Sequence, residues 1–240
     1  MMVTMNGLNH AMSGVAAYGG ALVLAHSRWD LNLPLPSVIV AGAVVAAGAA
    51  LAADIDEKHS KASQVAGPLG SFMRIFTGAH RTRTHWPLVI IPLLTAWVWA
   101  LINVFGPGWE LGATLGLTIA LGWPFCTAAI LPEKYEKVAA AIAIPVGIFV
   151  AWLAATKGFQ PDWWLYAAIP VPYFTHLLGD TPTPAGISWL APFTKTKFSA
   201  GLFKSGGFVE NSIVSPLLLL AIGFVTWRLF DVGAFGGNWF

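Results

Sequence analysis

PSVIVAGAVVAAGAALAA, residues 36 to 53, is a stretch of eighteen residues without a charge, and comparable apolar runs recur along the chain. A run of this kind matches the roughly 20 residues that a helix needs to cross a bilayer core of about 30 Å. Composition agrees, with 56% hydrophobic residues, 10% charged residues and 12 Trp among 240 positions. Soluble domains carry about a quarter charged residues, so this chain has too little polar surface to solvate a globule of its size. The expected fold is all-α: a polytopic membrane bundle of about six or seven transmembrane helices, forming one domain over residues 1–240.

Hydropathy and Gly/Pro punctuation mark seven spans, at about 10–27, 37–53, 87–105, 110–131, 138–156, 163–179 and 211–230. The first and sixth are the weakest, being short or rich in Gly and Pro, and suit buried or half-inserted helices as well. Pro145, Pro170 and Pro172 lie inside apolar runs and predict kinks. The small residues of AGAVVAAGAALAA predict a helix packed closely against a neighbour near the bundle centre. The segment before Arg28 lacks the basic flank of a cleavable signal and is expected to stay in the mature protein.

With seven crossings, Lys58, Lys61, Arg74, Arg81, Arg83, Lys134, Lys137, Lys195, Lys197 and Lys204 share one side, while Arg28, Lys157 and Arg228 share the other. The positive-inside rule makes the first side cytoplasmic, with the N-terminus in and the C-terminus out. Two long connections on that side, 54–86 and 180–210, exceed the usual loop length and invite a functional reading. Within them, AGPLGSFMRIFTGAH and WLAPFTKTKFSAGLFKSGGF have the mix of aromatic and basic residues expected of interfacial segments. A net charge of +2 and the lack of a basic stripe argue against a nucleic-acid partner. The single Cys126 excludes an intrachain disulfide and reads as apolar filler.

Eight ionisable residues near the span ends then fall on one side. His10 starts the first span, Asp54 and Asp56 end the second, and His80 and His85 precede the third. His176 and Asp180 end the sixth, and Glu210 opens the seventh. Such groups at the rim of hydrocarbon are costly unless they face one another, water or a metal, so their convergence marks a candidate site. Imidazole and carboxylate are ligands for zinc, manganese or iron. His176 and Asp180, four apart, share one helix face. Asp54 and Asp56, two apart, do not share a regular helix face. They belong to a helix end, where they can bridge two ions or divide ligand and base roles. His80 and His85 need a bend between them, with a helix starting near Pro87. Arg81 and Arg83 suit either an anionic group or anchoring beside the membrane. His26, beside Arg28 on the far side, reads as a surface residue. Asp30, Glu110, Asp162 and Asp231 share that side without a role, and Glu133 and Glu136 read as solvated.

Four blocks carry a family resemblance: Asn9-His10, DIDEKHS at 54–60, HRTRTHW at 80–86 and HLLGDTPTPAG at 176–186, followed by Glu210. In this order they resemble the YdjM family of inner-membrane metal-dependent hydrolases. The resemblance implies metal ligands among His10, Asp54, Asp56, His85, His176, Asp180 and Glu210, with Asp56, His80 and Arg81 in catalytic roles. Two positions depart from the family pattern. Glu57 stands where a His is usual, with His59 two residues on, and Trp86 stands where a Ser is usual.

The ligand types are also similar to those of zinc-dependent phospholipases C and P1-type nucleases. The expectation is hydrolysis, by a metal-activated water, of a lipid or lipid-linked phosphate ester at the cytoplasmic membrane face. One or two divalent ions, zinc or else manganese or iron, would serve. The competing expectation is a metal-ion or small-solute transporter using the same His/Asp cluster. It calls for ionisable groups near mid-membrane and for related halves, neither of which the sequence displays. A scaffold would not need this cluster.

Overall fold

A computed structural model describes residues 7–57, 60, 83–104, 163–204 and 206–236, with isolated positions 142, 145, 146, 148, 149 and 152. The fourth span and most of the fifth, together with His59, His80, Arg81, Glu110, Cys126, Glu133, Glu136 and Asp162, lie outside the described residues, and so does the interfacial segment before His80.

The first expected span is α1, Gly7–Trp29, and the second is α2, Pro36–Ala52, which begins at a proline whose missing N–H is harmless in a first helical turn. α2 passes into a tight 3-10 turn, Ala53–Asp56. A second short turn, Arg83–His85, leads to α3, Pro87–Asn103. The sixth expected span is broken. α4, Trp164–Ala168, ends at Ile169, and α5, Pro170–Asp180, begins afresh. Pro170 has no N–H to continue the ladder, which accounts for the interruption foreseen from the prolines. The described residues between α5 and residue 208 follow an irregular course, with a single bridge among them, pairing Ile187 and Phe198. One π-helical turn, Glu210–Val214, opens α6, Ser215–Asp231.

Among the described residues the fold is helical. Two stretches, Pro36–Asp56 and Glu210–Asp231, are long and apolar enough to cross a membrane, and Pro87–Asn103 is apolar but shorter. Against the expectation of six or seven crossings, the described residues contain two candidate spans. α1 is longer than α2, but only about half as apolar on average, because polar residues such as Asn9, His10, Ser13 and His26 interrupt it.

α1 packs on α2, α5 and α6, and α2 packs on α5. The α1–α2 approach depends on small residues. A Cβ at Gly14 would lie 2.8 Å from the Ala46 carbonyl oxygen and 2.8 Å from the Ala50 Cβ, and one at Gly42 would strike the Tyr18 hydroxyl. The backbones therefore come closer than larger side chains permit, as the glycine and alanine content of α2 predicts. Tyr18, Leu22, Val38, Ile39 and Val45 pack into the same core as Leu165 and Leu229. α6 turns Leu217, Leu220, Phe224 and Trp227 outward. Aliphatic and aromatic groups exposed along a helix of spanning length suit lipid contact.

The consequence for the site is positional. The start of α1, the end of α2, the start of α3 and the end of α5 bring His10, Asp54, His85, His176 and Asp180 together.

Candidate metal centre

The turn after α2 aims its two aspartates differently. A 3-10 turn advances about 120° per residue, so residues two apart point in different directions. The Glu57 N–H and the Ser60 hydroxyl both donate to the Asp54 carbonyl, at 3.1 and 2.6 Å, and hold the turn. Asp54 then faces the histidines, and Asp56 accepts a hydrogen bond from Thr84. On α5 the four-residue spacing places His176 and Asp180 on one face, as expected. The His176 Nε2 lies 3.5 Å from Asp180 Oδ2.

The remaining distances close the cluster. His85 Nε2 is 3.5 Å from Asp180 Oδ2 and 3.7 Å from Asp54 Oδ1, while His176 Nε2 is 3.6 Å from Asp54 Oδ1. One donor atom from each of Asp54, His85, His176 and Asp180 lies within 4.8 Å of the others, and all four residues are buried. These nitrogen–oxygen separations exceed a hydrogen bond of about 2.7–3.2 Å. They come close to the edge of a tetrahedron around an ion with ligands at 2.0–2.2 Å, which is about 3.3–3.6 Å. Two carboxylates and two neutral imidazoles also sum to the charge that a divalent cation cancels. Leaving carboxylates buried without such compensation costs several kcal/mol each. The residues therefore fit a divalent ion in number, chemistry, spacing and charge.

Burial pushes the His85 imidazole below its ordinary pKa, against the opposing pull of Asp180 and Asp54. The neutral ring is the form that offers a lone pair to a metal.

His10 adjoins the four. Its ring stacks on His176 with centroids 3.7 Å apart, and its Nε2 lies 3.6 Å from Asp180 Oδ1, the oxygen that does not face His85 and His176. Neither of its ring nitrogens has a hydrogen-bond partner among the described residues.

Glu210 lies in a different network. Asn9 donates to its Oε1 at 2.8 Å, the Gly206 N–H donates to its Oε2, and Ser215 donates to Asn9 Oδ1 at 2.8 Å. The carboxylate thereby ties the start of α6 to the residue preceding His10. Arg83 is exposed. On the far side, His26 faces the Leu31 carbonyl at 3.0 Å and is half-buried.

Two contributors were not singled out in the sequence. Thr84 joins Asp56 to His85, and Tyr173 donates to the Thr84 carbonyl at 2.8 Å. The signal for Tyr173 was its place three residues before His176, on a neighbouring position of the same helix face. Thr84 had only its adjacency to His85.

No curated protein and no solved structure matches the chain. The family described as YdjM inner membrane protein matches residues 5–131 and 139–233, nearly the whole chain and all four motif blocks. Together with the apolar helices and the cluster of histidine and aspartate at their ends, this match identifies the chain as a member of the YdjM inner membrane protein family.

Proposed function

We propose that the protein is a membrane-bound metal-dependent hydrolase acting on a lipid or lipid-linked phosphate ester. The observation that carries this reading is the convergence of four buried donors at separations suited to a shared ion. Asp54, His85, His176 and Asp180 hold the ion. A divalent ion bound there supplies Lewis acidity and lowers the pKa of a water toward 7. Zinc suits a tetrahedral set of nitrogen and oxygen ligands, and manganese or iron accept the same donor types.

His10 presents its imidazole at the edge of the cluster, where it can take up a proton or serve a second ion through Asp180 Oδ1. The two Asp180 oxygens face different partners, Oδ1 toward His10 and Oδ2 toward His85 and His176, so this carboxylate would be available to one ion or to two. His80, Arg81 and Asp56 keep the catalytic roles that the family motifs suggest, with Arg81 as the group to grip a phosphate. Asp56 acts from the far side of Thr84.

Position supports the substrate class. A site at the ends of apolar helices suits the level of lipid headgroups, and the cation excess on the same side of the expected topology favours the cytoplasmic face of a multi-pass protein.

Purified protein in lipid nanodiscs, analysed for metal and then assayed for phosphate or headgroup release from phospholipids and polyprenyl phosphates, tests the reading. It predicts one or two tightly held ions and release that a chelator abolishes and added metal restores. Protein without bound metal, or metal-loaded protein inert toward phosphate esters of every lipid class, contradicts it.

A further inference from the structure

We propose that Thr84 is a positioning residue that hands the charge of Asp56 on to His85, fixing the imidazole with its proton on Nδ1 and its Nε2 lone pair toward the ion. The inference rests on the metal site proposed above and deepens it.

Three groups line up, and all are buried. The Thr84 hydroxyl is 2.6 Å from Asp56 Oδ2 and 2.9 Å from His85 Nδ1. A carboxylate can only accept, and a separation near 2.6 Å is typical of a hydroxyl donating to a charged oxygen. The hydroxyl has one proton, and it is given to Asp56. Toward His85 the same oxygen can then only accept, so Nδ1 must carry the hydrogen.

The opposite side of the ring agrees. Nε2 faces Asp54 Oδ1 at 3.7 Å and Asp180 Oδ2 at 3.5 Å. An N–H at Nε2 would be too far from both for a good hydrogen bond, whereas a lone pair there points at the place the ion takes. The backbone of Thr84 is fixed as well, since Tyr173 on α5 donates to its carbonyl. α5 also supplies His176 and Asp180, so the helix that provides two ligands steadies the residue that orients a third. Metal-bound histidines commonly donate their other ring nitrogen to a carboxylate or carbonyl, and loss of such a partner lowers affinity roughly 10- to 100-fold. Here a hydroxyl stands between ring and carboxylate.

The test pairs Thr84→Val, close in shape but without the hydroxyl, with Thr84→Ser, which keeps it. Two quantities are read in nanodiscs: zinc affinity, by competition with a chromophoric chelator, and the His85 tautomer in metal-free protein, by nitrogen-15 NMR with the His85 signal assigned through substitution. The proposal expects protonated Nδ1 in the unmodified protein and in Thr84→Ser. It expects loss of that preference in Thr84→Val, with zinc affinity lower by roughly 10- to 100-fold. A proton on Nε2 in the unmodified protein, or Thr84→Val retaining both tautomer and affinity, overturns it while leaving the metal site standing. If the unmodified protein binds no zinc, manganese or iron, the functional reading falls, and the tautomer measurement alone still decides whether Thr84 sets the ring.

Discussion

At the scale of single residues, the decisive property is how few donors are available to hold an ion. Asp54 and His176 lie 3.6 Å apart and come from different helices, so each is needed to complete the set. Asp54→Ala and His176→Ala are each expected to lower metal affinity by more than about 100-fold, beyond the effect of losing an orienting partner. Equilibrium dialysis against a metal buffer measures this. Acidification acts in the same direction. Burial holds the His85 pKa down, so the folded protein keeps this ring neutral while the unfolded chain titrates near 6.5. Stability and bound metal are therefore retained above about pH 6.5 and decline as pH falls through and below that value. Metal content and melting temperature followed from about pH 8 to 5 should fall together. Residues of this kind were legible in the sequence because histidine and aspartate at the rim of apolar runs are rare and expensive. Thr84 was not, since a threonine beside a histidine acquires meaning only when Asp56, 28 positions earlier, folds against it.

At the scale of elements, close helix approach and one buried latch position His10. Gly14, one turn beyond His10 on α1, lies against the backbone of α2. Gly14→Val is expected to cost about 1–3 kcal/mol through overpacking. Detergent-phase thermal unfolding should show a lower midpoint, whereas Gly20→Ala, with no neighbour within 4 Å of the added Cβ, should show almost none of this loss. The latch is the contact between Asn9 and Glu210. Glu210→Ala leaves the buried Asn9 amide and the Gly206 N–H without this acceptor, at a cost of about 1–3 kcal/mol, and the same unfolding measurement checks it. The helix start at Pro87 and the interruption before Pro170 could be read from the chain because proline acts locally. The link from Asn9 to Glu210 spans 201 positions and left no local trace, and the π-helical turn at Glu210 has no signature in periodicity either.

At the scale of the molecule, apolar helices carry a polar cluster at one end of the bundle. Family membership agrees with a place in the inner membrane, and the two stretches of spanning length give that placement a physical basis. Cation asymmetry further predicts an N-terminus in the cytoplasm and a C-terminus outside. Terminal fusions should therefore give fluorescence from an N-terminal fluorescent protein and activity from a C-terminal alkaline phosphatase, and the reverse pattern would place the cluster on the opposite face. The overall helical character was readable from hydropathy, but hydropathy weighs residues one at a time. It gave α1 the standing of a span, although its polar residues serve the cluster and the helix contacts. Whether side chains from separate elements share one ion is decided by X-ray absorption and anomalous diffraction on metal-loaded protein. The expected result is a divalent ion with nitrogen and oxygen ligands at about 2.0–2.2 Å, supplied by His85, His176, Asp54 and Asp180. An ion bound elsewhere, or these four side chains without one, would contradict it.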